Sequence, residues 1–140
     1  MKIYLAAPLL NPMERSTNYI IRDKLVALGH QVYLPQEAAG LAFKEIDLGG
    51  DAKTIRQRIF DADMTAIRDT EVLLAVLDGR VPDEGVCVEV GVAYALGKKC
   101  VGYKTDARSL DKYGDNLFLE GCLTNIIHSE EELETIFAEK

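Results

Sequence analysis

Glu89 stands inside the apolar stretch Gly85-Val-Cys-Val-Glu-Val-Gly-Val-Ala-Tyr-Ala-Leu-Gly97, where a helix facing a core would carry an aliphatic side chain. Val86, Val90, Ala93 and Leu96 recur at helical spacing and turn one side inward. Glu89 falls three residues after Val86 and four before Ala93, so it borders that stripe. The spacing predicts a helix opening at Pro82-Asp83 and closing at Gly97. Glu89 then lies about a turn and a half from the helix start, where the macrodipole favours a negative charge. The apolar run Val72 to Leu77 just before it reads as a buried strand. A carboxylate held ionised beside the C-terminal end of such a strand suits nucleophilic attack. Equally, a glutamate on a helix rim can simply hydrogen-bond a neighbour, and position alone does not decide.

Three further acids, Asp63, Asp78 and Asp83, are expected on the same edge. Carboxylates sharing a cleft push each other's pKa values apart, so one stays ionised while another holds a proton. Cleavage of a glycosidic bond needs that division: a nucleophile at the anomeric carbon and an acid for the leaving group. Taken singly, Asp83 reads as a helix N-cap, Asp63 as a surface helix charge and Asp78 as a turn residue before Gly79. Acids at a strand edge also suit a divalent cation, the competing chemistry.

Composition narrows the classes. The chain has 140 residues, 48% hydrophobic and 28% charged, ordinary for one globular domain with a core, expected to span 1–140. A net charge of -7 argues against nucleic acid, since no basic stripe exists to neutralise phosphates. No apolar run is long enough to span a membrane, and the start lacks a signal-peptide layout. Cys87, Cys100 and Cys122 are odd in number and set among apolar neighbours. They read as buried thiols in a reducing cytoplasm, which is the expected location. With only His30 and His128 present, zinc or Ser-His chemistry has little material. Neither a dinucleotide fingerprint nor a Walker loop occurs.

The elements that must position these residues alternate. Strands are expected at Lys2–Ala6, Gln31–Leu34, Glu71–Leu77, Lys99–Tyr103 and Thr124–Ile127. Helices are expected at about Met13–Leu28, with Tyr19, Ile20, Leu25 and Leu28 inward, and at about Asp51–Ile67, with Ile55, Ile59, Ala62 and Ala66 inward. Ser129 caps a C-terminal helix and Asn116 begins a short one. Gln36–Gly50 reads as a loop with one short helix, and Thr105–Asp115 as a loop. Mid-helix Gly91 suggests close backbone packing beside Glu89. Such alternation means α/β: a doubly wound, flavodoxin- or Rossmann-like parallel sheet of five strands with helices on both faces. Ligands bind at the strands' C-terminal edge.

Ile3-Tyr-Leu-Ala-Ala-Pro8, Asp63-x-x-x-Ile67, Asp78-Gly-Arg-x-Pro-Asp-Glu-Gly85, Glu89-Val-Gly-x-Ala-x-Ala-x-Gly-Lys98 and Asp115-Asn-Leu117 together resemble the nucleoside 2-deoxyribosyltransferase family, in order and over nearly the whole chain. The resemblance implies that Glu89 is the nucleophile attacking C1′ of a 2′-deoxynucleoside, giving a covalent intermediate that a second base displaces with net retention. It implies that Tyr4 orients the nucleophile, Asp63 protonates the departing base, and Asp83 binds sugar hydroxyls. Asn116 would reach the 5′-hydroxyl, often from a neighbouring subunit. Gln36 would touch the base edge, and Asp78 and Arg80 would line the base pocket. No cofactor or metal is implied. The expected partners are a deoxynucleoside and a free nucleobase, with a homo-oligomer, a dimer or assembly of dimers, formed through exposed Leu117, Phe118 and Leu119. The alternatives are a 2′-deoxynucleoside 5′-monophosphate N-hydrolase, which Arg15 and Ser16 keep in view, and a non-catalytic nucleotide-binding module.

Overall fold

The computed structural model describes residues 1–138. Five parallel strands, β1 (Lys2–Ala6), β2 (Gln31–Tyr33), β3 (Val72–Val76), β4 (Lys99–Tyr103) and β5 (Asn125–Ile127), lie in the order β2-β1-β3-β4-β5. That order reverses direction between β1 and β3, the switch point where doubly wound sheets open a crevice. The helices are α1 (Pro12–Ala27), α2 (Pro35–Ala38), α3 (Ala42–Asp47), α4 (Ala52–Asp69), α5 (Glu84–Ala95), α6 (Leu117–Gly121) and α7 (Glu130–Ala138). The α/β expectation holds.

Because successive strand side chains alternate faces, the sheet builds two cores. Ile3, Leu5, Leu74, Val76 and Val101 point towards α1 and α7, where Ile21, Leu25, Leu133 and Phe137 meet them. Tyr4, Ala6, Leu73, Ala75 and Cys100 point the other way, towards Ile67 of α4 and Val86, Val90 and Ala93 of α5. Each fully buried aliphatic side chain contributes about 1.5–3 kcal/mol. Tyr4 is thus committed to the face covered by α4 and α5, which also carry Asp63 and Glu89.

Helix starts follow their caps. Asn11 and Glu14 form a reciprocal capping box before α1, with Pro12 in its first turn. Asp83 Oδ1 accepts from Val86 N (3.1 Å) and caps α5, so its N-cap reading is realised. Gly97, at φ +73, takes the left-handed position after that helix.

Several expectations are corrected. The inner face of α1 is Asn18, Ile21 and Leu25, whereas Tyr19 and Ile20 are 39% and 55% exposed. The helix is turned by one residue because the Asn18 amide is used inward, donating to Pro8 O (2.8 Å) and Gln36 Oε1 (2.9 Å). Leu96 is exposed because α5 ends at Ala95 and Ala93 is the last side chain to reach the sheet. Gln36–Gly50 holds two short helices, α2 and α3, in place of one. Leu119 is buried against the α5 core, while Leu117 and Phe118 remain exposed. A Cβ added at Gly91 would meet nothing within 4 Å, so that glycine marks no close packing within this chain. Only Cys100 is fully buried; Cys87 and Cys122 are half-buried.

Candidate active site

In a parallel sheet, registered neighbours project to the same face about 4.8 Å apart. Tyr4 pairs in register with Tyr33, and their rings stack at 5.4 Å between centroids and 17° between planes. Each hydroxyl then meets a carboxylate brought by a helix. Tyr4 donates to Glu89 Oε1 of α5 at 2.6 Å, and Tyr33 donates to Asp63 Oδ1 of α4 at 3.0 Å. Two tyrosine-carboxylate pairs therefore stand side by side between α4 and α5, over the β1–β2 half of the sheet.

Burial governs their protonation. Loss of water pushes the Glu89 carboxyl up to about 7; the Tyr4 hydrogen bond opposes this, and the charges of Asp63 and Asp83 add to it. The Asp63 carboxyl is pushed up to about 6 by burial, with the Tyr33 hydroxyl opposing. Helix-dipole stabilisation of ionised Glu89, expected from position, is outweighed by desolvation, which scales with burial and not with distance from the helix start. Both phenols are driven upward, first by burial and then by the facing carboxylate, so they remain donors.

The other expected site residues divide. Asp83 sits at the start of α5, near enough for its charge to act on Glu89. Asp78 turns from the carboxylate pair: Oδ1 accepts from Thr105 N (2.6 Å) and Asp106 N (3.2 Å), and Oδ2 from Thr105 Oγ1 (2.6 Å). It thereby clasps the ends of β3 and β4 together. Gln36 is buried with both amide ends engaged, Nε2 donating to Arg15 O (3.0 Å) and Oε1 accepting from Asn18. It braces the N-terminal half of α1. Arg80 is exposed. Asn116 caps α6 through Phe118 N (2.9 Å) and lies on the opposite flank of α5, lining a groove of about 480 Å³ with Cys87, Gly91 and Phe118.

Two residues were not anticipated. Tyr33 is one; the aromatic residue ending a short strand before Pro35 was its only signal. Lys104 is the other. Its buried ammonium donates to Leu77 O and Gly79 O, both at 3.1 Å, and pairs with Asp115 Oδ2 at 3.1 Å. It ties the loop leading to Asp83 to the residue preceding Asn116. Among the described residues no group of His, Cys, Asp and Glu converges to hold a metal ion, and no helix is long and apolar enough to cross a membrane.

Residues 3–133 match the model of the nucleoside 2-deoxyribosyltransferase family. The chain belongs to that family. Nucleoside 2-deoxyribosyltransferase family membership places it among glycosyl-transferring or N-glycosidic enzymes. No curated protein matches the chain. Three similar solved structures bear on the fold. A conserved protein from Enterococcus faecalis V583 is 28% identical with a TM-score of 0.79, covering 98% of this chain and 96% of that one. A 2-deoxyribosyltransferase from Bacillus psychrosaccharolyticus is 24% identical with a TM-score of 0.79, covering 96% and 90%. A CMP N-glycosidase from Clostridium botulinum is 18% identical with a TM-score of 0.58, covering 97% of each.

Proposed function

We propose that this family member is a nucleoside 2-deoxyribosyltransferase working through a covalent deoxyribosyl-Glu89 intermediate. The observation that carries the reading is the pairing of two half-buried carboxyls, each held at one oxygen by a tyrosine. Ionised Glu89 attacks C1′ of a 2′-deoxynucleoside while Asp63 gives its proton to the departing base. The incoming base then displaces Glu89, returning a proton to Asp63, so two inversions give net retention. With values of about 7 and 6, the pair holds one proton near neutrality. A base nitrogen seated against Asp63 favours the arrangement with that proton on Asp63.

The missing 2′-hydroxyl eases the oxocarbenium character of the transition state, so two carboxyls suffice without a cofactor. Asp83 would bind sugar hydroxyls through the oxygen not used as the cap. Asn116 would serve the 5′-hydroxyl of a neighbouring copy's substrate, with exposed Leu117 and Phe118 (83% and 80%) meeting that copy in a homo-oligomer. Arg80 lies in the exposed turn beside Asp78 and would border the base pocket. Gln36, braced by the scaffold, would shape that pocket more than touch the base. A single domain in the cytoplasm completes the reading.

The loop after β1 argues against a nucleotide phosphate. That loop carries no cation, and Arg15, in the first turn of α1, is held by its bond to Leu9 O (2.8 Å) and its stacking over the Phe43 ring. Base exchange tests the proposal: deoxyinosine or thymidine is incubated with free adenine, with deoxyadenosine monophosphate alone in parallel, and products are separated by chromatography. New deoxyadenosine is the expected result. Free base released only from the monophosphate would make the protein an N-hydrolase, and silence in both arms a binding module.

A further inference from the structure

The geometry points to Tyr33 as a positioning residue for the acid: by filling Asp63 Oδ1 it places the transferable proton on Oδ2, the oxygen left open to substrate. This rests on the transferase reading of Asp63. Among the described residues the Tyr33 hydroxyl has no acceptor other than Asp63 Oδ1, at 3.0 Å, and Asp63 Oδ2 has no donor. A protonated Asp63 whose Oδ1 already accepts a hydrogen bond carries its own proton on Oδ2. The donor cannot swing away, because its ring is stacked on Tyr4, which is itself buried and bonded to Glu89. Strand register thus mounts the acid and the nucleophile on one aromatic pair, each with one oxygen filled and one free.

The proton balance follows. As the C1′–N bond breaks, its electron pair stays with the base and the Oδ2 proton moves to a ring nitrogen, leaving Asp63 ionised. When the next base attacks C1′, the C1′–O bond to Glu89 breaks, its electrons return to the carboxylate, and the N–H proton of that base returns to Oδ2. The titratable groups facing Asp63 are Tyr33 from β2, Tyr4 from β1 and Glu89 from α5. Tyr33 is the one that opposes its protonation by hydrogen bonding.

Tyr33→Phe keeps the stacked ring and removes the donor. Base exchange from a deoxynucleoside should fall about tenfold in kcat, with KM little changed and the high-pH limb of the rate profile moved to higher pH. A para-nitrophenyl 2-deoxyriboside, whose leaving group needs no proton, should release its p-nitrophenolate in the first turnover with little loss in Tyr33→Phe, and not at all in Glu89→Gln. An equal loss with both donors, or an unmoved pH limb, would overturn the positioning role. Should the parent protein turn over neither donor, the transferase reading fails, and ¹³C titration of the Asp63 carboxyl still decides Tyr33. The titration should move upward in Tyr33→Phe, and an unchanged curve would refute the hydrogen bond's role.

Discussion

Replacing Glu89 with glutamine should make the protein more stable, and more so as pH rises. The carboxyl is lifted from an ordinary 4.5 to about 7, mainly by burial. A carboxyl whose pKa is higher in the folded than in the unfolded state supports folding fully below the unfolded value. It loses that support as pH rises through the folded value. Integrating between 4.5 and about 7, ionised Glu89 costs the folded state about 3 kcal/mol at pH 8 and about 1 kcal/mol at pH 5. Glutamine has the same shape, still accepts from the Tyr4 hydroxyl and never ionises. Glu89→Gln should therefore gain on the parent by about 2 kcal/mol more at pH 8 than at pH 5, read by urea denaturation. The corresponding rise in Tm at pH 8 is about 6 °C or more for a domain of this size. A variant whose advantage is the same at both pH values would refute the claim that burial strains this carboxylate. Stability regained by removing the proposed nucleophile is the expected signature of a site that opposes the fold around it.

Two further outcomes follow from the same geometry. Tyr4→Phe removes the hydrogen bond that favours ionised Glu89, so the low-pH limb of exchange should move upward while the high-pH limb set by Asp63 stays; activity at neutral pH should fall about tenfold, and an unmoved low-pH limb would contradict this. Lys104→Met should cost about 3–5 kcal/mol in urea denaturation by leaving buried Asp115 unpaired; most of it should return in Lys104→Met/Asp115→Leu, and a double variant no better than the single would count against the pair as its cause.

Alternation of short apolar runs with helical stripes, and the glycines and prolines between them, specified the five strands, the parallel sheet and the ends of most helices. Those signals are local, and local sequence carries them completely. Glu89 was legible for a related reason: an acid bordering an apolar stripe stands out in one dimension. Asp63 was legible as one of the acids expected on the same edge, while its role and Tyr4 were reached through motif resemblance. What the sequence could not convey was which side of α1 turns inward, since Asn18 occupies the core face with a side chain that hydropathy assigns to water. Nor could it show that Gln36 and Asp78 are engaged by the scaffold.

Tyr33 became visible only through register, because stacking on Tyr4 depends on β2 pairing with β1 across 28 intervening residues. Lys104 reads as an exposed lysine until β3 and β4 are laid side by side and the carbonyls of Leu77 and Gly79 converge on its ammonium. Protonation was likewise settled by the assembled fold. The sequence supplied the carboxyls, but burial between two helices and a sheet raised their pKa values, and burial belongs to the packed molecule.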